Sequence, residues 1–310
     1  MASRLLKFVA AFSSLYGAVS LARRLFKRKL PVLRGAVLVT GASSGIGRNA
    51  AQTLARRGYI VFAGVRSQAD ATALKEECSN IRPVMLDVAV DDSVTDAARE
   101  VQAYLKAENL LLIAVVNNAG ILGQMSALAV ADLHVAHKVF EVNVFGILRV
   151  CQAFVPILVD AGPGARIVNI SSIAAYTAVP GEAVYAASKH AVQALTQGYR
   201  LELHKYGIFC CSVNPGFVKT ELANKSGDTA LILEASPRSK ERKMKQSIET
   251  GADPSVTSDA ILHAISSPTP KTTYVVAIAA PGVPAWVVVF LRWLLPETLF
   301  DSLLLQGDNS

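Results

Sequence analysis

The chain has 310 residues, 52% of them hydrophobic and 18% charged: enough for one large α/β domain with a proper core, and too apolar for a disordered polypeptide. Its net charge of +7 is not spread evenly, because residues 1–34 hold eight Lys and Arg (Arg4, Lys7, Arg23, Arg24, Lys27, Arg28, Lys29, Arg34) and no acid. The remainder carries −1, which gives no electrostatic reason to expect a nucleic-acid partner. Four cysteines (Cys78, Cys151, Cys210, Cys211) lack paired or CxxC spacing, so neither a disulfide framework nor a zinc site is suggested, and they fit buried small hydrophobes in a reducing compartment.

In chain order, the N-terminal arm comes first. Its uncharged run FVAAFSSLYGAVSLA (Phe8 to Ala22) precedes RRLFKRK and, at fifteen residues, is shorter than the ~20 that span a bilayer. An interfacial anchor with a polybasic flank, a short signal anchor and an organellar transit peptide all fit this pattern.

From Gly35 onward, short β-branched runs alternate with longer helical patterns. AVLVT, YIVFAGV, RPVMLDV, LLIAVVNNAG, ARIVNISS and IFCCSVNPG read as buried strands. Between them GRNAAQTLARRG, SVTDAAREVQAYLKA, LHVAHKVFEVNVFGILRVCQAFVPILVDAG and VYAASKHAVQALTQGYRLELHKYG carry helical periodicity with a glycine near several of the ends. Repeated βα units predict an α/β fold, a doubly wound parallel sheet in three αβα layers.

Two regions break the alternation. Residues 223–253 are polar around a small apolar patch, as a mobile substrate lid would be. TTYVVAIAAPGVPAWVVVFL (Thr272 to Leu291) is uncharged for twenty residues, but Pro281, Gly282 and Pro284 divide it into a last strand, YVVAIA, and a helix, AWVVVFLRWLLPETLF. The predicted organisation is therefore an anchor or targeting arm (1–34), a catalytic domain (35–280) and an apolar helical tail (281–310) that packs on the body or lies at a membrane surface.

Directly after the first strand comes TGASSGIG, with Gly41, Gly45 and Gly47. A strand that turns through glycines into a helix lets backbone N–H groups approach a pyrophosphate; the bland alternative is a tight turn with no ligand. The first βα junction of a doubly wound pattern favours the ligand. The second strand ends in AGVRS, where Val65 and Arg66 stand in place of the acid that binds ribose hydroxyls, so NADP(H) is expected over NAD(H). The bland alternative for Arg66 is a solvated strand-end charge, and the missing carboxylate is the stronger half of the inference.

YAASK places Tyr185 and Lys189 four residues apart on one helix face. An isolated pair of this kind is usually a snorkelling surface pair. As chemistry, it sets an ammonium beside a phenol whose anion it would favour, lowering the phenol pKa by ~1–3 from about 10. His134, His137, His190 and His204 have no partners at ligand spacing and read as structural or surface residues, with no metal expected.

With GxxxGxG, NNAG (Asn117 to Gly120), YAASK and NPGFVKT (Asn214 to Thr220) in this order, the sequence resembles the short-chain dehydrogenase/reductase family in its single-Rossmann-domain form. VFAGVR and the tail from TTYVVA through LLPETLFDSLL look most like its hydroxysteroid and retinol dehydrogenase-like branch.

The resemblance implies an oxidoreductase that interconverts an alcohol and its carbonyl, with catalytic residues Asn143, Ser172, Tyr185 and Lys189. In NISS either Ser171 or Ser172 qualifies, and the family's spacing selects Ser172, thirteen residues before Tyr185. Asn143 taken alone would read as a helix-packing residue. Cofactor contacts are implied at Gly41, Ser43, Ser44, Gly45, Ile46, Gly47, Arg66, Asp87, Val88, Asn118, Ala119, Gly120, Tyr185, Lys189, Pro215, Gly216, Val218 and Thr220.

The arm and the apolar tail point to a lipophilic substrate such as a steroid, retinoid or fatty-acyl derivative, and to the endoplasmic reticulum membrane. The alternatives are a soluble carbonyl reductase imported into a mitochondrion or plastid, and a non-catalytic dinucleotide sensor. The family is commonly dimeric or tetrameric, so a homodimer or homotetramer is the implied assembly.

Overall fold

The computed structural model describes residues 29–221, 244, 246–280 and 282–306. The apolar run of the N-terminal arm and most of the expected lid lie outside them. Seven strands form one parallel sheet: β1 (Ala36–Val39), β2 (Ile60–Val65), β3 (Ile81–Met85), β4 (Leu112–Asn117), β5 (Arg166–Ile170), β6 (Phe209–Pro215) and β7 (Thr273–Val276), in the order β3-β2-β1-β4-β5-β6-β7. The order reverses between β1 and β4, which opens a crevice at the carboxyl ends of these two neighbours.

Alternation along the buried strands splits the core in two. Val37, Val39, Ile113, Val168 and Val213 face one helical layer, and Leu38, Phe62, Val115, Ile167 and Cys210 face the other. The first layer holds α1 (Gly45–Arg56), α2 (Gln68–Glu77) and, further along the chain, α7 (Pro254–Ser266), whose Ile261 is fully buried with Leu54 of α1. The second holds α3 (Asp91–Ala107), α4 (Leu133–Phe140), α5 (Gly146–Asp160) and α6 (Ala183–Glu202), contributing Val101, Phe154 and Val192. Removing a buried ring such as Phe154 would cost ~3–5 kcal/mol.

The predicted long helix runs through α4 and α5, joined by a π-helical turn at Glu141–Phe145. Leu133–Asp160 is long and apolar enough to cross a membrane by length and composition, but half of that window is buried within the molecule, as in a core helix.

Two helices went unread in the sequence. Helix α2 starts where Ser67 accepts a hydrogen bond from Asp70 N, and α7 starts with Asp253 capping Ser255 N and Pro254 in the first turn. The predicted tail helix is also corrected. After a short hairpin of β8 (Ile278–Ala280) and β9 (Val283–Pro284), it divides into α8 (Ala285–Leu294) and α9 (Glu297–Gln306). The break falls at Leu295–Pro296, where proline disfavours a helical residue before it.

The end of the arm is held to the body: Leu30 N donates to Pro268 O at 2.8 Å, and buried Arg166 donates to Pro31 O at 3.0 Å.

Candidate active site

A cleft of about 350 Å³ opens at the carboxyl ends of the strands. The turn from β1 into α1 forms one wall. Gly41 and Gly45 have φ of +64° and +56°, which favour glycine, and a Cβ on Gly47 would lie 2.3 Å from Gly41 O. The first turn of α1 contains no acid and its Ser44 side chain makes no cap, so the helix N-terminus presents a positive end to the cleft. Thr40 and Asn118 join this turn to the end of β4. The Thr40 hydroxyl accepts from Asn118 N and Ala119 N, each at 3.0 Å, and Asn118 Nδ2 donates to Thr40 O and Gly41 O.

At the end of β2, Val65 is buried while Arg66 is exposed at the cleft, with no acidic residue between it and Asp70. Asp87 and Val88 line the same end, where Asp87 Oδ1 accepts from Ala89 N at 3.0 Å. On the far side, Pro215, Gly216, Val218 and Thr220 follow β6. There Phe217 N donates to Ile278 O at 2.6 Å, and a Cβ on Gly216 would strike that same carbonyl.

Helix α6 brings the remaining groups. Buried Tyr185 hydrogen-bonds Ser172, and buried Lys189 donates to Ile170 O at 3.1 Å with its Nζ 5.5 Å from the Tyr185 ring centre. Ser171 also lines the cleft, but its hydroxyl is committed to Lys189 O at 3.0 Å, which leaves Ser172 as the serine that meets the phenol.

The expected depression of the phenol by Lys189 is not found in the free site. Burial is the largest influence on Tyr185 and raises its pKa, Ser172 lowers it and nearby Glu182 raises it further. The physical reason is the burial of the phenol itself; Lys189 is desolvated as well, its pKa pushed down to about 8, and its ammonium donates to a backbone carbonyl.

All the sequence-predicted cofactor residues and Ser172 line this one cleft; Asn143 does not. It sits fully buried behind the cleft in the π turn, where a widened helix re-aims its side chain. Its Oδ1 accepts from Ile121 N at 2.8 Å, and its Nδ2 donates to Ile121 O at 2.9 Å and to Ser188 Oγ at 3.0 Å. Asn143 nevertheless approaches Lys189, since a Cβ on Gly120 would lie 3.3 Å from Asn143 Oδ1 and 3.4 Å from Lys189 Nζ. Asn117 is likewise buried, bonded to Asn169 of the neighbouring strand.

Sequence reasoning missed three contributors: Thr40, Ser188 and Glu182. Ser188 donates to Tyr185 O at 2.6 Å and so connects Asn143 to the tyrosine's own turn. A serine within a helix commonly bonds back in this way, which was the available signal. Glu182 lines the cleft one turn before Tyr185.

A sheet whose order reverses beside a glycine turn places this chain among the doubly wound dinucleotide-binding proteins. Residues 35–230 match the short chain dehydrogenase family model, and the chain belongs to that family. It is similar to the oxidoreductase YbbO of Escherichia coli (strain K12), 31% identical over 89% of this chain and 96% of that one. It is also similar to estradiol 17-beta-dehydrogenase 2 of Mus musculus, 30% identical over 90% of this chain and 76% of that one. Among solved structures, a serine dehydrogenase complexed with NADP+ is 26% identical with a TM-score of 0.66, covering 77% of this chain and 93% of that one. Other structures of this fold hold NAD or NADH.

The chain is thus an oxidoreductase acting on alcohol or carbonyl groups, and its site fits a nicotinamide dinucleotide. The glycine cradle, the acid-free helix terminus and Arg66 supply the cavity and the positive potential that such an anion requires.

Proposed function

We propose that the enzyme is NADP(H)-dependent and interconverts an alcohol and its carbonyl on a mainly lipophilic substrate, with Tyr185 as general acid and base. The observation that carries this reading is the Ser172–Tyr185 hydrogen bond beside buried Lys189, in the same cleft as the glycine cradle. The bound nicotinamide would supply or accept the hydride. Ser172 would hold the substrate oxygen next to the phenol, and Tyr185 would give a proton to that oxygen in reduction or take it in oxidation. Its raised pKa keeps the free enzyme's phenol protonated, the form that reduction needs. Lys189 would favour negative charge as it develops on the phenol oxygen. Asn143 would brace Gly120–Ile121 against α6 through Ser188.

NADP(H) is supported by Arg66, which stands at the cleft with no ion pair among the described residues, and by the missing strand-end acid that would bind ribose hydroxyls. The lipophilic substrate is supported by the other wall, where Ile173, Val179, Phe217, Met244, Ile248, Val288 and Leu304 converge. Met244 and Ile248 belong to the segment expected to act as a lid, which we take as its role. Anchoring at the endoplasmic reticulum membrane by residues 1–34 completes the proposal, and N-terminal sequencing of the mature protein separates it from import and cleavage.

The test is kinetic: NADPH and NADH oxidation with a panel of aliphatic and polycyclic ketones, for wild type, Tyr185→Phe and Arg66→Ala. Tyr185→Phe is expected to lose ~10²–10⁴ in kcat/KM. Arg66→Ala is expected to lose ~10–100-fold of the NADPH advantage. Wild-type turnover no faster than that of Tyr185→Phe overturns the role of the tyrosine, and an NADH preference in wild type overturns the cofactor assignment.

A further inference from the structure

Among the described residues, the substrate side of the cleft is apolar apart from Ser171, Ser172, Tyr185, Thr177 and one carboxyl, Glu182. The other acids on the cleft stand elsewhere among the described residues: Asp87 at the end of β3 and Glu221 next to Thr220, beside Gly45. Glu182 is fixed in place. Its N–H donates to Val179 O at 3.1 Å, its carbonyl accepts from Ala186 N at 2.8 Å, and preceding Gly181 accepts from Ser126 N at 3.0 Å. Its carboxyl, by contrast, has no hydrogen bond or ion pair among the described residues, and burial is the one influence that shifts it. An unsatisfied, partly desolvated acceptor is costly unless a ligand completes it. It reaches Tyr185 electrostatically from the N-cap of α6, three residues before it in the chain.

We infer that Glu182 selects the substrate, by accepting a hydrogen bond from a hydroxyl or ammonium donor carried within a few bonds of the reacting carbon of an otherwise apolar molecule. This rests on the proposed alcohol–carbonyl reaction and narrows its substrate class from a plain lipid ketone to an amphiphile with a donor next to its carbonyl. A site built around an acceptor discriminates against ligands without the donor, because its polar group is then left unpaired. A methyl ether in place of the hydroxyl keeps the oxygen as an acceptor but removes the donor and adds a methyl group, so the smaller plain ketone stands beside it as a second donor-free ligand, and only a preference over both isolates the interaction.

The experiment compares kcat/KM for long-chain α- and β-hydroxy ketones, their methyl ethers, the corresponding amino ketones and the plain ketones, at one pH. Wild type is expected to favour hydroxy or amino ketones over the ethers and the plain ketones at least ~10-fold. Glu182→Gln, whose amide oxygen still accepts, should keep part of that ratio, and Glu182→Leu should bring it close to one. If the amino ketone outperforms the hydroxy ketone, the donor is cationic; the reverse order identifies a neutral hydroxyl. Turnover of all the ketones by wild type without donor preference overturns this inference alone, as does an unchanged ratio in Glu182→Leu. Rates for every ketone equal to those of Tyr185→Phe overturn the reading beneath it. The wild-type ratio decides the matter even if the leucine variant does not fold.

Discussion

Glu182, Tyr185 and Lys189 lie within two turns of one another, and the cleft moves each toward its neutral form. Burial raises Tyr185, pushes Glu182 up to about 7 and pushes Lys189 down to about 8. For Glu182 this has a consequence for folding. Its folded pKa lies above the ordinary value of 4.5, so the folded protein binds more protons than the unfolded chain between these limits, and stability falls as pH rises through that window. The cost is absent below pH ~4 and complete above pH ~7. Full burial would make it worth ~3 kcal/mol, and the partial exposure of Glu182 reduces this to ~1 kcal/mol. Denaturant unfolding of the free enzyme should therefore show Glu182→Gln more stable than wild type by about that amount at pH 8, and no more stable at pH 4. Equal differences at both pH values would mean that the carboxyl is solvated. None of this was legible in the sequence, because PGEAVY marks Glu182 only as an acid near a helix start; its desolvation comes from residues on other elements. Tyr185 and Lys189 were legible, since their spacing alone puts them on one face.

Among the elements, the strands were the easiest to read and the short helices the hardest. A strand covered on both faces needs a continuous apolar run, as AVLV in β1, IVFAGV in β2 and LIAVV in β4 show, whereas edge strand β3 (IRPVM) leaves Arg82 and Met85 exposed. Helix α7 hid for the opposite reason: Thr257 and Ser258 are buried with Ile261, so its inward face looks polar in sequence, although the Asp253–Pro254 start was a usable signal. Helix α2 buries only Ala71 and Leu74, too few for a clear periodicity. The turn into α1 was legible as glycines, but what they accommodate was not. Gly47 is required by its own neighbours: an added Cβ would meet Gly41 O at 2.3 Å and Asn118 Nδ2 at 2.4 Å. Gly47→Ala should therefore displace the Thr40–Asn118 tie before any ligand binds, costing ~1–3 kcal/mol. Thermal unfolding without cofactor should show the loss, and added dinucleotide should restore less stability to the variant than to wild type. A variant as stable as wild type when free of cofactor, but weaker in dinucleotide binding, would show instead that the position serves the ligand alone.

Taken as one object, the described residues present a large exposed apolar face near the C-terminal end. Trp286, Phe290 and Trp293 lie at positions i, i+4 and i+7 of α8 and are 57%, 47% and 74% exposed, and Leu294, Leu299 and Leu303 extend the face onto α9. The same two helices turn Val288 and Leu304 into the substrate side of the cleft, so one element pair joins the outer aromatic face to the inside of the pocket. Exposed tryptophans beside leucines suit a bilayer interface, where an amphipathic ring keeps one edge wet. If the face does meet a bilayer, the basic arm at the other end of the chain would supply the second signal, since one interfacial helix seldom anchors stably. Trp286 and Trp293 are the two tryptophans of the chain, so tryptophan emission, excited at wavelengths where the eight tyrosines do not absorb, reports this face. Titration with anionic phospholipid vesicles should shift the emission to shorter wavelength as the rings leave water, and Phe290→Ser with Leu294→Ser should weaken vesicle binding several-fold while keeping both reporters. An emission maximum unmoved at saturating vesicle binding would place the membrane contact on the arm alone and leave this face for a protein partner.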